Sequence, residues 1–116
     1  MNSAHAPTSA RIAAHVGALG VRPGGVLLVH SSLSSMGRVV GGSETVISGL
    51  LQALGGPGTL LMPALTYASV HQEQTYFDRE ATPSCIGTIP ETFRTRAGTL
   101  RSGSPTHSVC AAGPLA

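Results

Sequence analysis

The sequence has 116 residues, 41% of them hydrophobic and 10% charged, with a formal net charge of +2. That length holds one domain at most, and an apolar, glycine-rich composition is the opposite of the charged, hydrophobe-poor signature of disorder. All seven basic residues are arginines scattered from Arg11 to Arg101, and the aromatics are only Tyr67, Tyr76, Phe77 and Phe93. With neither a basic patch nor stacking platforms, no nucleic-acid partner is expected.

No stretch approaches the ~20 apolar residues of a membrane span, and no basic segment precedes an apolar run at the start of the chain. No membrane partner is expected, and the cytoplasm is the expected location. Cys85 and Cys110 lie far apart without the spacing of a zinc site, so they read as small, reduced core residues and no metal is expected. Nothing in the sequence sets an oligomeric state.

In chain order, Thr8 or Ser9 can cap a helix whose apolar positions Ile12, Val16 and Leu19 share a face, with Gly20 as a stop and His15 at the surface or boundary. Arg22 to Gly25 turns the chain into Val26–Val29, an apolar run of the kind buried parallel strands show. A loop reading HSSLSSMGRVVGG follows, from His30 to Gly42. Ser43 is then a candidate N-cap for a helix with the apolar stripe Val46, Ile47, Leu50, Leu51 and Leu54, ended by Gly55 and Gly56. Thr59 to Met62 reads as a second apolar strand closed by Pro63, so residues 26 to 62 form a strand, helix, strand unit with parallel strands.

Residues 64 to 83 have neither helical nor strand period over much of their length, and such a segment inside a compact domain is usually functional or mobile. Thr88 to Glu91 spells a capping box with proline in the first turn, predicting a helix through Phe93 to Arg96 that Gly98 ends. THSVCAAGPLA, from Thr106 to Ala116, alternates weakly and reads as a third strand. Three short strands leave open edges, which predicts the front part of a longer protein: residues 1–116 as a single incomplete domain.

The serine-rich loop leaves the carboxyl end of a strand and enters a helix, where open α/β sheets bind ligands and where backbone N–H groups and the helix dipole suit an anion. Neither GxxxxGK[ST] nor GxGxxG is present, so spacing leaves a phosphate cradle and a plain structural turn level. A serine nucleophile is the weakest reading: His30 and Ser31 are strand neighbours pointing to opposite faces, and GxSxG is missing. A second cluster, RSGSPTHSV, gathers Arg101, Ser102, Ser104, Thr106, His107 and Ser108 around a proline turn. There Arg101 either pairs with a carboxylate while His107 is solvated, or Arg101 and the hydroxyls meet an anionic or polar ligand.

Taken together, HSSLSSMG, GTLLMP, PSCIGTIPETFRTR and RS..PTHS, in this order and spacing, resemble the aminoglycoside 3-N-acetyltransferase family, which is distinct from the general acetyltransferase superfamily. The resemblance covers roughly residues 8 to 116. It implies an α/β fold, three-layer α/β/α with a mixed, partly parallel sheet. It also implies acetyl-coenzyme A as co-substrate, an aminoglycoside or other amine as acceptor, and transfer to the 3-amino group of a deoxystreptamine ring. On this likeness the coenzyme side comprises His30, Ser31, Ser32, Ser34, Ser35, Met36, Gly37, Arg101, His107 and Ser108. Tyr67, Glu73 and Asp78 are the candidates for meeting the acceptor. The family's general base, a histidine with a carboxylate, has no matching motif before Ala116, so the catalytic residues are expected beyond it. Ser104 stands where many relatives have histidine. The alternatives are a catalytically inactive fragment, an acetyltransferase for another amine, and a serine hydrolase using Ser31.

Overall fold

The computed structural model describes residues 8–30 and 41–116. Helix α1 is Ser9–Ala18, β1 is Val26–Leu28, α2 is Gly42–Leu54 and β2 is Thr59–Pro63. Helix α3, Thr88–Thr95, then precedes β3, Leu100–Arg101, and β4, Val109–Ala112. The strand order is β1-β2-β4-β3. β1 pairs parallel with β2, with Leu27 opposite Leu60, as the strand, helix, strand unit predicts. β2 and β3 each pair antiparallel with β4, which gives the mixed, partly parallel sheet.

Thr8 caps α1, its Oγ1 accepting from Arg11 N–H at 3.3 Å. Ile12 is buried, whereas Leu19 is the helix C-cap and is 86% exposed. The cap of α2 differs from expectation. Gly41 (φ 82°) is the N-cap and Gly42 (φ 60°) begins the helix, so Ser43 falls inside the first turn. Two successive left-handed residues favour glycine, and a Cβ at Gly41 would collide with Thr45 Oγ1. The capping box at α3 does not form either. Gly87 is the N-cap with no side-chain bond, and Glu91 turns outward to Ser84 and Arg94.

One apolar layer holds the fold. Ile12 from α1, Val46, Ile47, Leu50 and Leu54 from α2, and Ile89 and Phe93 from α3 pack with Leu60, Met62 and Cys110 of the sheet. Burying such a side chain stabilises by about 1.5–3 kcal/mol, so this layer dominates folding. Gly49 lets α1 and α2 approach closely: a Cβ there would lie 2.6 Å from Ile12 Cβ.

All three helices contribute to this one core, so they cover one face of the sheet. β1 is shorter and less buried than predicted, with Val26 57% and Leu28 59% exposed because, among the described residues, β1 is an edge strand whose outer face carries no helix. Of the cysteines, Cys110 is buried as expected but Cys85 is exposed, and both are free thiols. Among the described residues no helix is long and apolar enough to cross a membrane.

Candidate functional site

Parallel pairing puts the carboxyl ends of β1 and β2 at the same end of the sheet. His30 follows β1 there and is exposed. At the opposite end, Gly24 N–H donates to Leu54 O at 2.7 Å, fixing the last residue of α2 beside the start of β1. A helix of 13 residues is about 20 Å long. The N-terminus of α2, with Gly41, Gly42 and Ser43, therefore returns to the carboxyl end of the strands. Ser43 Oγ is buried there and has no hydrogen-bond partner among the described residues.

The second cluster reaches the same end through β2. Beyond Pro63 the chain stays extended: Ala64 N–H donates to Ser108 O at 2.8 Å and Thr66 N–H to Thr106 O at 3.1 Å. Leu60, Met62, Ala64 and Thr66 are all buried, so the period of two runs past the proline. Thr66 Oγ1 donates to Pro105 O, tying the proline turn to this segment. A strand closed at Pro63, as the sequence predicts, leaves Thr66 out; the continuing alternation is the signal that includes it.

His107 is exposed on this turn, its Nδ1 2.8 Å from Thr106 Oγ1 and its N–H donating to Ser104 Oγ at 3.2 Å. Arg101 and Ser108 are instead buried, at 8% and 0% exposure. Arg101 Nε donates to Ser108 Oγ at 2.8 Å and Nη2 to Ala64 O at 3.1 Å, while Nη1 donates to the carbonyls of Thr82 and Arg79. Ser108 Oγ donates in turn to Ala64 O at 2.8 Å. The carboxylate considered as partner for Arg101 is replaced by neutral acceptors and by the Phe77 ring, 5.0 Å from the guanidinium carbon. Burial lowers the Arg101 pKa, yet a guanidinium stays charged. Burial also raises the Cys110 thiol, keeping it neutral beside that cation.

Arg101 thereby fastens the irregular segment to the sheet. Within that segment Val70 N–H donates to Thr66 O at 2.8 Å, and His71 and Gln74 exchange backbone bonds at 2.9 and 3.0 Å. Asp78 closes another turn, accepting from Glu80 N–H at 2.9 Å and Ala81 N–H at 3.2 Å, bonds that lower its pKa. Its carboxylate is thus engaged by the backbone, while Tyr67 and Glu73 are exposed. Ser31, Ser32, Ser34, Ser35, Met36 and Gly37 lie outside the described residues.

A bidentate ion pair braces the start of α3: Arg94 Nε and Nη2 donate to the two Glu91 carboxylate oxygens, each at 2.6 Å. Arg94 Nη1 also donates to Glu80 O at 2.6 Å. Burial opposes ionisation of Glu91, but Arg94 and Ser84 N–H outweigh it and lower its pKa. Arg96 Nη1 lies 3.3 Å from Glu44 Oε2, an ion pair without hydrogen-bond alignment that links α3 to α2. A cavity of about 580 Å³ beside α3 is lined by Arg79, Glu80, Arg94, Thr95, Thr99, Leu100 and Arg101. Its Arg94 and Arg101 are already engaged by the protein's own acceptors, so its size does not make it the better site.

The family model for aminoglycoside 3-N-acetyltransferases matches residues 28–116. The chain belongs to that family. It is 30% identical over 126 aligned residues to aminoglycoside N(3)-acetyltransferase IX of Micromonospora chalcea, covering 94% of this chain and 45% of the relative. It superposes on a mutant of the aminoglycoside acetyltransferase AAC(3)-IVa in complex with a gentamicin, with a TM-score of 0.89 at 35% identity, over 100% of this chain and 43% of that one. It also superposes on AAC-IIIb in its binary complex with CoASH, with a TM-score of 0.84 at 32% identity, over 95% of this chain and 47% of that one. The aminoglycoside 3-N-acetyltransferase fold is thus present in a chain spanning about half the length of these relatives. These matches bear out the family read from the motifs and the α/β class.

Proposed function

We propose that these residues form the coenzyme side of an acetyltransferase that moves acetyl from acetyl-CoA to the 3-amino group of a deoxystreptamine aminoglycoside. This is the amino-terminal part of the domain in the motif order, working in the cytoplasm as an antibiotic-resistance enzyme. The observation that carries the reading is the meeting of His30, the N-terminus of α2 and the Thr106–Ser108 turn at one end of the sheet. The family match and the likeness to a CoASH-bound structure support coenzyme A as the ligand.

Acetyl-CoA supplies the activated acyl group; this chain's residues hold and orient it. The N-terminus of α2 presents first-turn backbone N–H groups and the positive end of its dipole, suited to pyrophosphate oxygens. Ser43 Oγ, buried and without a partner among the described residues, adds a hydroxyl beside those N–H groups. In this reading Ser31, Ser32, Ser34 and Ser35 supply further donors to the coenzyme, Met36 belongs to the same set and Gly37 permits close approach. His30 and His107 border the same end as exposed polar groups. Arg101 and Ser108 act one step back, holding Ala64 and the irregular segment in place.

Attack on the thioester requires a neutral amine, a positioned carbonyl and donors for the oxyanion. The base that removes the ammonium proton and its carboxylate partner belong to the part of the domain expected beyond Ala116. Glu73, exposed like Tyr67 on the irregular segment, offers a charge complementary to a polycationic acceptor. Asp78 contributes its field from a fixed turn.

The test joins residues 1–116 to the remaining portion of AAC(3)-IVa and measures CoA release with acetyl-CoA and gentamicin. Gentamicin-dependent thiol release, reduced at least about tenfold by Ser43→Val, supports the reading. A folded fusion that binds neither acetyl-CoA nor aminoglycoside refutes it.

A further inference from the structure

Glu44 follows Gly42 and Ser43 in α2 and is the acidic residue of its first turn. From that position a glutamate reaches back toward the N-cap N–H, and its charge is drawn to the positive end of the helix dipole. A carboxylate seated there takes the place that an incoming phosphate needs. Glu44 is held elsewhere: Arg96 Nη1 lies 3.3 Å from its Oε2, the ion pair that Glu44 makes among the described residues. Arg96 is the C-cap of α3, a helix end that favours a cation, and its Nη1 is buried without a hydrogen-bond partner. No acceptor among the described residues competes with Glu44 for that nitrogen. Ser43, only 7% exposed, also keeps its Oγ without a partner among the described residues, so this helix end retains an unused buried hydroxyl.

We propose that Arg96 is a positioning residue for the coenzyme: it draws the Glu44 carboxylate aside from the N-terminus of α2 and leaves that end open to the coenzyme's phosphates. This builds on the coenzyme reading of the same helix end. Arg96 does not touch the ligand. It acts through Glu44, which, once released, competes with phosphate for the first-turn N–H groups and repels it by like charge. The two side chains are partly exposed, Arg96 at 31% and Glu44 at 55%, so the pair is weak and its effect on affinity is modest. Its sign is distinctive, because the two partners of one ion pair act on the ligand in opposite directions. Were the pair only a brace between α3 and α2, losing either partner would weaken binding alike.

The test titrates coenzyme A, and separately pantetheine, which carries no phosphate, into the 116-residue chain and its variants by calorimetry. Arg96→Gln is expected to weaken coenzyme A binding by about threefold or more, and Glu44→Gln to strengthen it by a similar factor. The double variant is expected to bind at least as tightly as the unaltered chain, because the competing carboxylate is gone. Affinity for pantetheine stays the same in every variant. In the free chain, the backbone amides of Gly41 to Ser43 shift in Arg96→Gln and move back in the double variant, a readout that needs no ligand. Weaker binding by Glu44→Gln overturns the proposal in favour of a brace, and a double variant as weak as Arg96→Gln overturns it in favour of direct contact. Amides of Gly41 to Ser43 indifferent to Arg96→Gln overturn it as well. An unaltered chain that binds no coenzyme A refutes the coenzyme reading instead, and the amide readout then decides whether Arg96 holds Glu44 off the helix end.

Discussion

Arg101 Nε donates to Ser108 Oγ at 2.8 Å, and Arg101 Nη2 and Ser108 Oγ both donate to Ala64 O. One buried guanidinium thus joins β3, the residue leading into β4, the extension of β2 and, through Thr82 O, the far end of the irregular segment. Removing it leaves several buried acceptors without donors and a void beside Phe77. Arg101→Ala is expected to cost about 3 kcal/mol in urea unfolding. Arg101→Lys recovers only part of this, because a compact ammonium cannot reproduce the guanidinium fork. Faster proteolysis between residues 67 and 82 should accompany the loss in both variants. A cost below about 0.5 kcal/mol for Arg101→Ala would remove the clasp from the account.

The Glu91–Arg94 pair gives a pH prediction. The folded-state pKa of Glu91 lies below its ordinary value of 4.5, so its contribution is present above that value. It is lost as pH falls through the lowered one. Asp78 acts in the same direction from its backbone bonds. Stability should therefore drop as pH falls below about 4.5. Glu91→Gln should remove roughly 2 kcal/mol at neutral pH, because Arg94 is left with an 8% exposed side chain and no charge partner. The variant should also flatten the acid limb of the profile. An unchanged slope between pH 3 and 5, measured by thermal unfolding, would assign that limb to other carboxylates.

Gly49→Ala tests the helix contact. The new methyl would meet Ile12 Cβ and Cγ2 at 2.6 Å and Ser9 O at 2.9 Å, so α1 must move away from α2. Although alanine favours helix in isolation, overpacking should win and destabilise by about 1–3 kcal/mol. Ile12→Ala alone loses burial, but combined with Gly49→Ala it should cost less than the sum of the two changes, since it removes Ile12 Cγ2, one of the atoms that clash. Additive costs would mean that the helices do not meet there.

Much of this fold is legible in the sequence because its signals are periodic. Val46, Ile47, Leu50 and Leu54 mark the face of α2, and the two aliphatic runs flanking it predict a parallel pair. Caps are less legible, because a serine in capping context and a pair of glycines compete, and at α2 the glycines' left-handed geometry prevails. β3 escapes notice because two residues carry no period; only its pairing with β4 defines it. The proline turn is visible by composition, but its place beside the carboxyl end of β2 depends on the extension of that strand past Pro63. The role of Arg101 is hidden for a related reason: its acceptors are carbonyls at Ala64, Arg79 and Thr82, which have no side-chain signature.

The coenzyme reading is tested most directly by titrating coenzyme A into the isotope-labelled 116-residue chain and following backbone amide shifts. The account predicts saturable shifts centred on His30, Gly41 to Ser43 and Thr106 to Ser108, with Arg79 and Thr95 to Leu100 unmoved, and their loss in Ser43→Val. Shifts concentrated around the cavity beside α3, or none at millimolar coenzyme A, would contradict it.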